Sequence, residues 1–358
     1  MPHKNPKGNP YGYSLCLGLI SALSLFLLSA FFSSQNPLSP KEDDYFLSDT
    51  GTEREPDSTE SSPILVPSFH QSPSPIDGAD QSIDITLLRQ TGEVETLSLD
   101  AYLWGVVAAE MPATFPLEAL KAQTVAARSY TGLRLANPKH SNAVVCDDSA
   151  CCQAYIDVSE RLRLWGTDAP FYQEHLREAI SQTNGLYVLY EDQPIDALFF
   201  SSSSGQTLEA QEVWGTAVPY LQSVPSPEDP DIPNYHSQVV YTESELALLL
   251  QENYPQIKLG SDPNTWVSAI LADSAGGVAQ MTLGGITLTG SQLRSLFSLR
   301  STYFTLDYEN NNFTFSVTGY GHGVGMSQYG AKALADQGYA FDQILTWYYA
   351  HCSVDSIG

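Results

Sequence analysis

Most of what this chain can fold into is decided by how its first 80 residues are spent. From Tyr11 to Phe32 the only strongly polar side chains are the hydroxyls of Ser14, Ser21, Ser24 and Ser29. As a helix this run is roughly 33 Å long, enough to cross the hydrocarbon core of a bilayer. Lys4 and Lys7 precede it and Glu42, Asp43 and Asp44 follow it, so residues 1–10 stay cytoplasmic and the remainder lies outside the membrane. A cleaved signal peptide is the rival reading. The anchor at 11–32 is preferred because the run exceeds an ordinary signal core and Ser29-Ala30-Phe31 makes a poor cleavage site. From Ser33 onward, Pro37, Pro40, Pro56, Pro63, Pro67, Pro73 and Pro75 interrupt a stretch rich in Ser, Asp and Glu. Residues 33–80 therefore read as a linker, and a packed domain is expected over 81–354.

That domain has the means to form a core, since 42% of the 358 residues are hydrophobic and 11% aromatic. Sixteen Lys and Arg stand against 41 Asp and Glu, a formal charge of −25. Such a chain repels phosphate backbones, which excludes nucleic acid as a partner, and it repels anionic lipid heads, so membrane residence requires the inserted segment.

Alternating Ile83, Ile85 and Leu87 predict a strand, and a turn at Thr91-Gly92 leads to a second. Asp100 opens a helix with Leu103, Val106, Val107 and Met111 on its buried side, and Pro112 ends it, leaving Glu110 in the last turn. Pro116 opens another helix to about Ala136, with Ala119, Ala122, Ala126 and Ser129 as a close-packing stripe. A helix over Pro170–Thr183, strands at Leu186–Tyr190 and Ile195–Phe200, and a Thr242/Glu245 capping box before another helix follow. Hairpins are expected across Gly284-Gly285 and Asn310–Asn312. The sum is α+β, with a helical part bearing Glu110 and a β-rich part around a cleft.

Glu110 is the most informative single residue. A carboxylate at the C-terminal end of an apolar helix is disfavoured by the helix dipole, and burial beside Met111 acts in the same direction. Both favour the neutral carboxyl that a general acid must be before it protonates a leaving oxygen. A solvated glutamate at a helix end is the plain alternative.

Around this residue, Leu99-Asp100-Ala101-Tyr102-Leu103, Gly105 to Pro112, Glu118 to Gln123 and Ala126-Ala127-Arg128-Ser129-Tyr130 resemble the signature of the stage II sporulation protein D family. Further blocks follow in the family's order: Phe200 to Thr207, Glu212-Val213-Trp214-Gly215, Pro219-Tyr220-Leu221 and Gly321 to Ala331. The resemblance runs from Ser82 to Cys352. It implies a lytic transglycosylase acting on peptidoglycan glycan strands, particularly strands already stripped of peptide by a partner amidase, in a sporulation setting among other membrane proteins. It places Glu110 at the catalytic glutamate position. This sequence departs from the family at Ser204, where glycine is usual, and at Phe200, where histidine is common.

Substrate-binding candidates follow. Lys121 and Arg128 are seven apart and project from one helix face, where they could bind sugar or lactyl oxygens. Gln123 points away from them, toward either a ligand or the backbone. His322 lies among glycines, including Gly323, that let a strand of substrate approach the main chain; with Gln328 and Tyr329 it would line the cleft, and Ser203 and Gly205 would form another wall. His140, Cys146, Cys151 and Cys152 combine imidazole and thiolates in a pattern suited to structural zinc. A disulfide from Cys146 to Cys151 or Cys152 competes with it. The proposed acid needs no metal. Two rival functions remain open: a water-using glycosidase, needing a second carboxylate such as Asp147, Asp148 or Asp229, and a non-catalytic glycan-binding module that stimulates an amidase.

Overall fold

The alternation at the start of the domain becomes strand β1 (Asp84–Leu88), with Ile85 and Leu87 fully buried. It pairs antiparallel with β2 (Val94–Ser98) and, on its other edge, parallel with the short β3 (Val145–Cys146). The computed structural model describes residues 70–357; the expected cytoplasmic stretch, anchor and most of the linker lie outside them. Among the described residues no helix is long and apolar enough to cross a membrane.

Helix α1 (Leu99–Glu110) starts where β2 ends. It stops one residue short of Met111, which is extended at φ −133° and ψ 138° as befits a residue preceding proline. Helix α2 (Leu117–Ala136), entered through Pro116, is the central strut. Its stripe of Ala119, Ala122, Ala126 and Ser129 is wholly buried. Small side chains let α1, α4 (Ala169–Ser181), α8 (Gln328–Asp336), α9 (Phe341–Tyr348) and β4 (Leu186–Tyr190) all pack against it. Ser129 Oγ also accepts a hydrogen bond from the Val188 amide at 2.7 Å, tying the helix to β4. Helix α3 (Val158–Trp165) has no counterpart in the sequence expectations.

Strand β4 is flanked by β14 (Ser353–Ser356) and β5 (Gln193–Pro194), the latter turned back by Glu191 and Asp192, both at positive φ. The strand expected over Ile195–Phe200 is only partly present. Ile195 and Ala197 are buried, as the alternation required, but the Leu198 amide folds back onto the Asp196 carbonyl at 2.9 Å. Only β6 (Phe199–Phe200) ladders, in parallel with β13 (Met326–Ser327). A short helix α5 (Ala210–Trp214) follows.

Residues 236–318 form a layer with its own core. Strands β7 (His236–Thr242), β11 (Phe304–Glu309) and β12 (Asn312–Thr318) make one antiparallel sheet; β8 (Val267–Ala272), β9 (Val278–Leu283) and β10 (Ile286–Thr289) make another. With α6 (Glu243–Asn253) and α7 (Gly290–Leu296) they enclose Leu246, Trp266, Phe297, Phe313 and Phe315. The Thr242/Glu245 capping box is formed, and Asn310 and Asn311 take the left-handed conformation of the final hairpin. The layer's two ends meet where the Gly319 amide bonds the Tyr235 carbonyl at 2.8 Å, so it is inserted as a closed excursion.

Residues before the expected boundary at 81 pack against the domain. His70 and Ser72 bond the Asp342 carboxylate at 2.6 and 2.8 Å, and the Ile76 amide bonds the Asn184 carbonyl at 2.8 Å. Asp80 is fully buried, and so is its partner Arg128: Nη2 to Oδ2 is 2.7 Å and Nε donates to both oxygens at 3.0 Å. Arg128 Nη1 also donates to the Leu186 carbonyl at 3.1 Å. Arg128 therefore joins the segment before β1 to α2 and β4 instead of reaching a ligand. Removing one member of such a pair strands the other charge, so Arg128→Ala should lower unfolding free energy by about 3–5 kcal/mol, read by chemical denaturation of the full chain.

Candidate active site

The site begins at a glycine inside a helix. At Gly105 a Cβ would lie 2.3 Å from the Tyr155 ring and 2.9 Å from the Ile156 carbonyl oxygen. The absence of a side chain there lets residues 153–156 cross directly over α1, where the Ile156 amide bonds the Gly105 carbonyl at 3.2 Å. Gln153 is buried and donates to Thr131 Oγ1 at 3.3 Å, and the Tyr155 ring stacks on Tyr102 with centroids 5.8 Å apart. The crossing delivers the Ala154 N–H to Glu110 Oε1 at 2.7 Å.

Glu110 is half-buried at the end of α1. Burial raises its pKa from 4.5 to about 7, against the opposing pull of the hydrogen bonds from Ala154 and the Gln328 amide. Near neutral pH it can therefore hold or release a proton without large cost. Gln328 begins α8, and its Nε2 also donates to Gln123 Oε1 at 3.4 Å. Gln123 is fully buried on α2, so it supports Gln328 and does not itself face a ligand.

The glycine-rich loop does reach Glu110, but through Gln328 and not through His322. The His322 Nε2–H donates to the Phe199 carbonyl at 3.1 Å and Nδ1 accepts from the Val324 amide at 3.2 Å. With both ring nitrogens engaged, His322 fastens the loop. Burial, and next the nearby Arg294 charge, lower its pKa to about 4, so it stays neutral at pH 7. Phe200 and Trp214 pack on its ring at centroid distances of 5.5 and 5.6 Å. Gly321, at φ +126°, passes so close to Phe200 that a Cβ would meet the phenylalanine Cβ at 2.6 Å. Gly323 offers its carbonyl to the Leu208 amide at 2.7 Å. Tyr329 packs edge-on against Phe115 at 5.0 Å, and its amide bonds the Ser201 carbonyl at 3.0 Å.

Ser203 is buried and Gly205 exposed in the neighbouring wall, where the Gly205 amide bonds Ser203 Oγ at 3.0 Å. Ser203 itself is held by Glu228, a residue that no pattern in the sequence singled out. Ala154 was equally hidden, because it acts through its backbone. Lys121 and Arg128 do not work together. Lys121 pairs with Glu118 at 2.6 Å and lines a separate 450 Å³ cavity with Tyr339 and Phe341, whereas the Asp80 segment closes over Arg128. The carboxylates considered as second catalytic groups are otherwise employed. Asp147 faces Arg89 at 3.5 Å, while Asp148 and Asp229 accept the Ala150 and Asp231 amides at 2.9 and 2.8 Å within their own turns.

The ligand atoms of His140, Cys146, Cys151 and Cys152 all lie within 4.8 Å of one another. His140 Nε2 is 3.8 Å from Cys151 Sγ and 3.6 Å from Cys152 Sγ, and the two sulfurs are 4.0 Å apart. Zinc–sulfur bonds of about 2.3 Å and zinc–nitrogen bonds of about 2.0 Å in a tetrahedron place ligand atoms about 3.5–3.8 Å apart, close to these three distances. The adjacent cysteines both lie in the group, which thus brings four candidate ligand atoms together. One residue beyond Cys152 the chain enters the crossing that holds Glu110.

Residues 88–190 match the family model described as Stage II sporulation protein. Stage II sporulation protein D of Bacillus subtilis (strain 168) is 38% identical over 265 residues, 72% of this chain and 74% of that protein. The protein of the same name from Bacillus amyloliquefaciens is 37% identical over 262 residues, covering 72% and 74%. The amidase enhancer of Bacillus subtilis (strain 168) is 28% identical over 302 residues, 71% of this chain and 40% of that protein.

Two outcomes follow from the geometry. Gly105→Ala should destabilise the domain in thermal melts, because the clash with Tyr155 and Ile156 outweighs the ~1 kcal/mol that alanine gains over glycine within a helix. Glu110 binds its proton more tightly folded than unfolded, so ionising it penalises folding as pH rises from 4.5 to about 7. Glu110→Gln should therefore melt above the wild type at pH 8, with the difference gone below pH 4.5.

Proposed function

Because the chain belongs to the stage II sporulation protein D family, we propose that its role in the sporulation cell wall is that of a lytic transglycosylase with Glu110 as the single acid and base. The observation that carries this reading is the half-buried Glu110 carboxyl, poised at a pKa of about 7 between the Ala154 N–H and the Gln328 amide. In the first half of the reaction the Glu110 carboxyl gives its proton to the glycosidic oxygen as the C1–O bond breaks. In the second, the resulting carboxylate takes the proton of the sugar's own C6 hydroxyl as that oxygen closes on C1. The product is a 1,6-anhydro end; the proton lost is regained, and no water is consumed. One carboxyl thus serves where ordinary glycoside hydrolases need two, in keeping with the employment of Asp147, Asp148 and Asp229 elsewhere.

The Ala154 N–H and the Gln328 amide stabilise the carboxylate after the first transfer, and burial restores its appetite for a proton before the next. His140, Cys146, Cys151 and Cys152 would hold a zinc ion whose contribution is structural, cross-linking the loop that runs into the Ala154 crossing. The substrate is peptidoglycan glycan strands, and similarity to the amidase enhancer supports a cell-wall amidase as partner. We place the domain outside the cytoplasmic membrane, held by the apolar segment 11–32.

Purified peptide-free glycan incubated with the chain should yield 1,6-anhydro ends by mass spectrometry. Glu110→Gln should abolish them while glycan pull-down persists; unchanged turnover would remove Glu110 from the mechanism. The acid must be protonated to start the reaction, so kcat should decline as pH rises through about 7. Elemental analysis should find about one zinc per chain, and a chelator should lower Tm. Metal-free protein with an unchanged melting point would assign the cysteines another purpose.

A further inference from the structure

Glu228 lies on the segment leading into the inserted layer, and both of its carboxylate oxygens are taken. Oε1 accepts the Ser203 amide at 2.7 Å and the Ser327 hydroxyl; Oε2 accepts the Ser203 hydroxyl at 2.9 Å. The two serines belong to different walls of the site. Ser203 lies in the loop after β6, and Ser327 caps α8, its Oγ accepting the Gly330 amide at 3.2 Å. The next residue after Ser327 is Gln328, whose side-chain amide donates to Gln123 Oε1 at 3.4 Å and lowers the proton affinity of Glu110. The seat beneath α8 is tight, since a Cβ on Gly330 would lie 2.0 Å from the Tyr348 hydroxyl and 2.3 Å from Ser226 Oγ. Ser226 and Tyr348 are themselves bonded at 2.6 Å. The start of α8 is thus pressed from below by the Ser226 segment and tethered by Glu228 two residues on.

We propose that Glu228 is a positioning residue: by taking hydrogen bonds from Ser203 and Ser327 it locks the serine loop to the start of α8 and so aims the Gln328 amide at Glu110. Uncompensated, a carboxylate so placed would be costly; three donors from two loops compensate it, and its charge adds a side-chain tie to the β6–β13 ladder and the Tyr329 amide bond to Ser201 that already join them. Glutamine is the same size but presents an N–H toward donors, so it breaks the clamp without leaving a void. The proposal builds on the reading of Glu110 as the acid, though the clamp itself is observable without turnover.

In full-length chain labelled with nitrogen-15 glutamine, the Gln328 side-chain amide should give a dispersed pair of signals, assigned by their loss in Gln328→Ala. Glu228→Gln should move that pair toward the position of free glutamine, and Ser203→Ala, which removes one of the hydroxyl donors to Glu228, should move it in the same direction. If Glu228→Gln does not fold, the Ser203→Ala spectrum decides alone. A Gln328 pair unmoved by these variants overturns the proposal. On glycan, Glu228→Gln should lower kcat about tenfold with KM within about twofold, and adding Gln328→Ala should cost nothing more. Fully additive losses would also overturn it. A wild-type chain that cleaves no glycan would sink the lyase reading, while the amide spectra would still judge the clamp.

Discussion

A carboxyl group drawn partly out of water must either keep its proton or be met by donors, and much of this domain is arranged around that choice at Glu110. Two donors meet it, the Ala154 N–H at 2.7 Å and the Gln328 amide, and they offset burial only in part, leaving a pKa of about 7. The first donor exists because Gly105 lets residues 153–156 lie on α1. The second exists because a glycine-rich loop folds tightly enough to deliver α8 to the same place. Loss of either contact alters the proton affinity of one group, so packing at a distance sets a local ionisation.

The supporting parts follow a common pattern in which charge or polarity is buried to hold segments far apart in the chain. Arg128 and Asp80, 48 residues apart, hold the domain's entry against α2 and β4. His322 spends both nitrogens on the backbone of its own loop and of β6, 123 residues away at Phe199. Glu228 joins Ser203 to Ser327. Each is a type of residue that acts on ligands elsewhere, and in this domain each is employed in assembling the wall or strut that a ligand-facing group needs. Exposure differs among these groups: Arg128 has no exposed surface, whereas Glu110 is half-buried.

Local rules were legible in the residues themselves. The end of α1 follows from Pro112 and the start of α2 from Pro116, the start of α6 from Thr242 and Glu245, and the last hairpin from Asn310 and Asn311, because each acts on backbone within a few residues. The order of elements implied α+β, and the prominence of Glu110 followed from a carboxylate closing an apolar helix. The bend at Asp196–Leu198 was not legible, since the alternation of Ile195 and Ala197 satisfies burial whether or not a neighbouring strand is available to ladder. Nor was the ordered stretch from His70, whose prolines read as linker while its anchors, Asp342 and Asn184, lie far along the chain.

By itself, then, the amino-acid sequence determined the α+β class, where most helices start and stop, and to which family the chain belongs, and it drew attention to the carboxyl of Glu110. Only the tertiary structure decided what those residues do. Lys121 and Arg128 share a helix face, yet one lines an open cavity and the other is sealed against Asp80. Gln328, and not His322, is the loop's contact with Glu110. Helical periodicity and turn propensity depend on neighbours within about four positions. Desolvation and hydrogen-bond partnership depend on what the rest of the chain brings alongside, and these are the quantities that separate a ligand-facing group from a structural one.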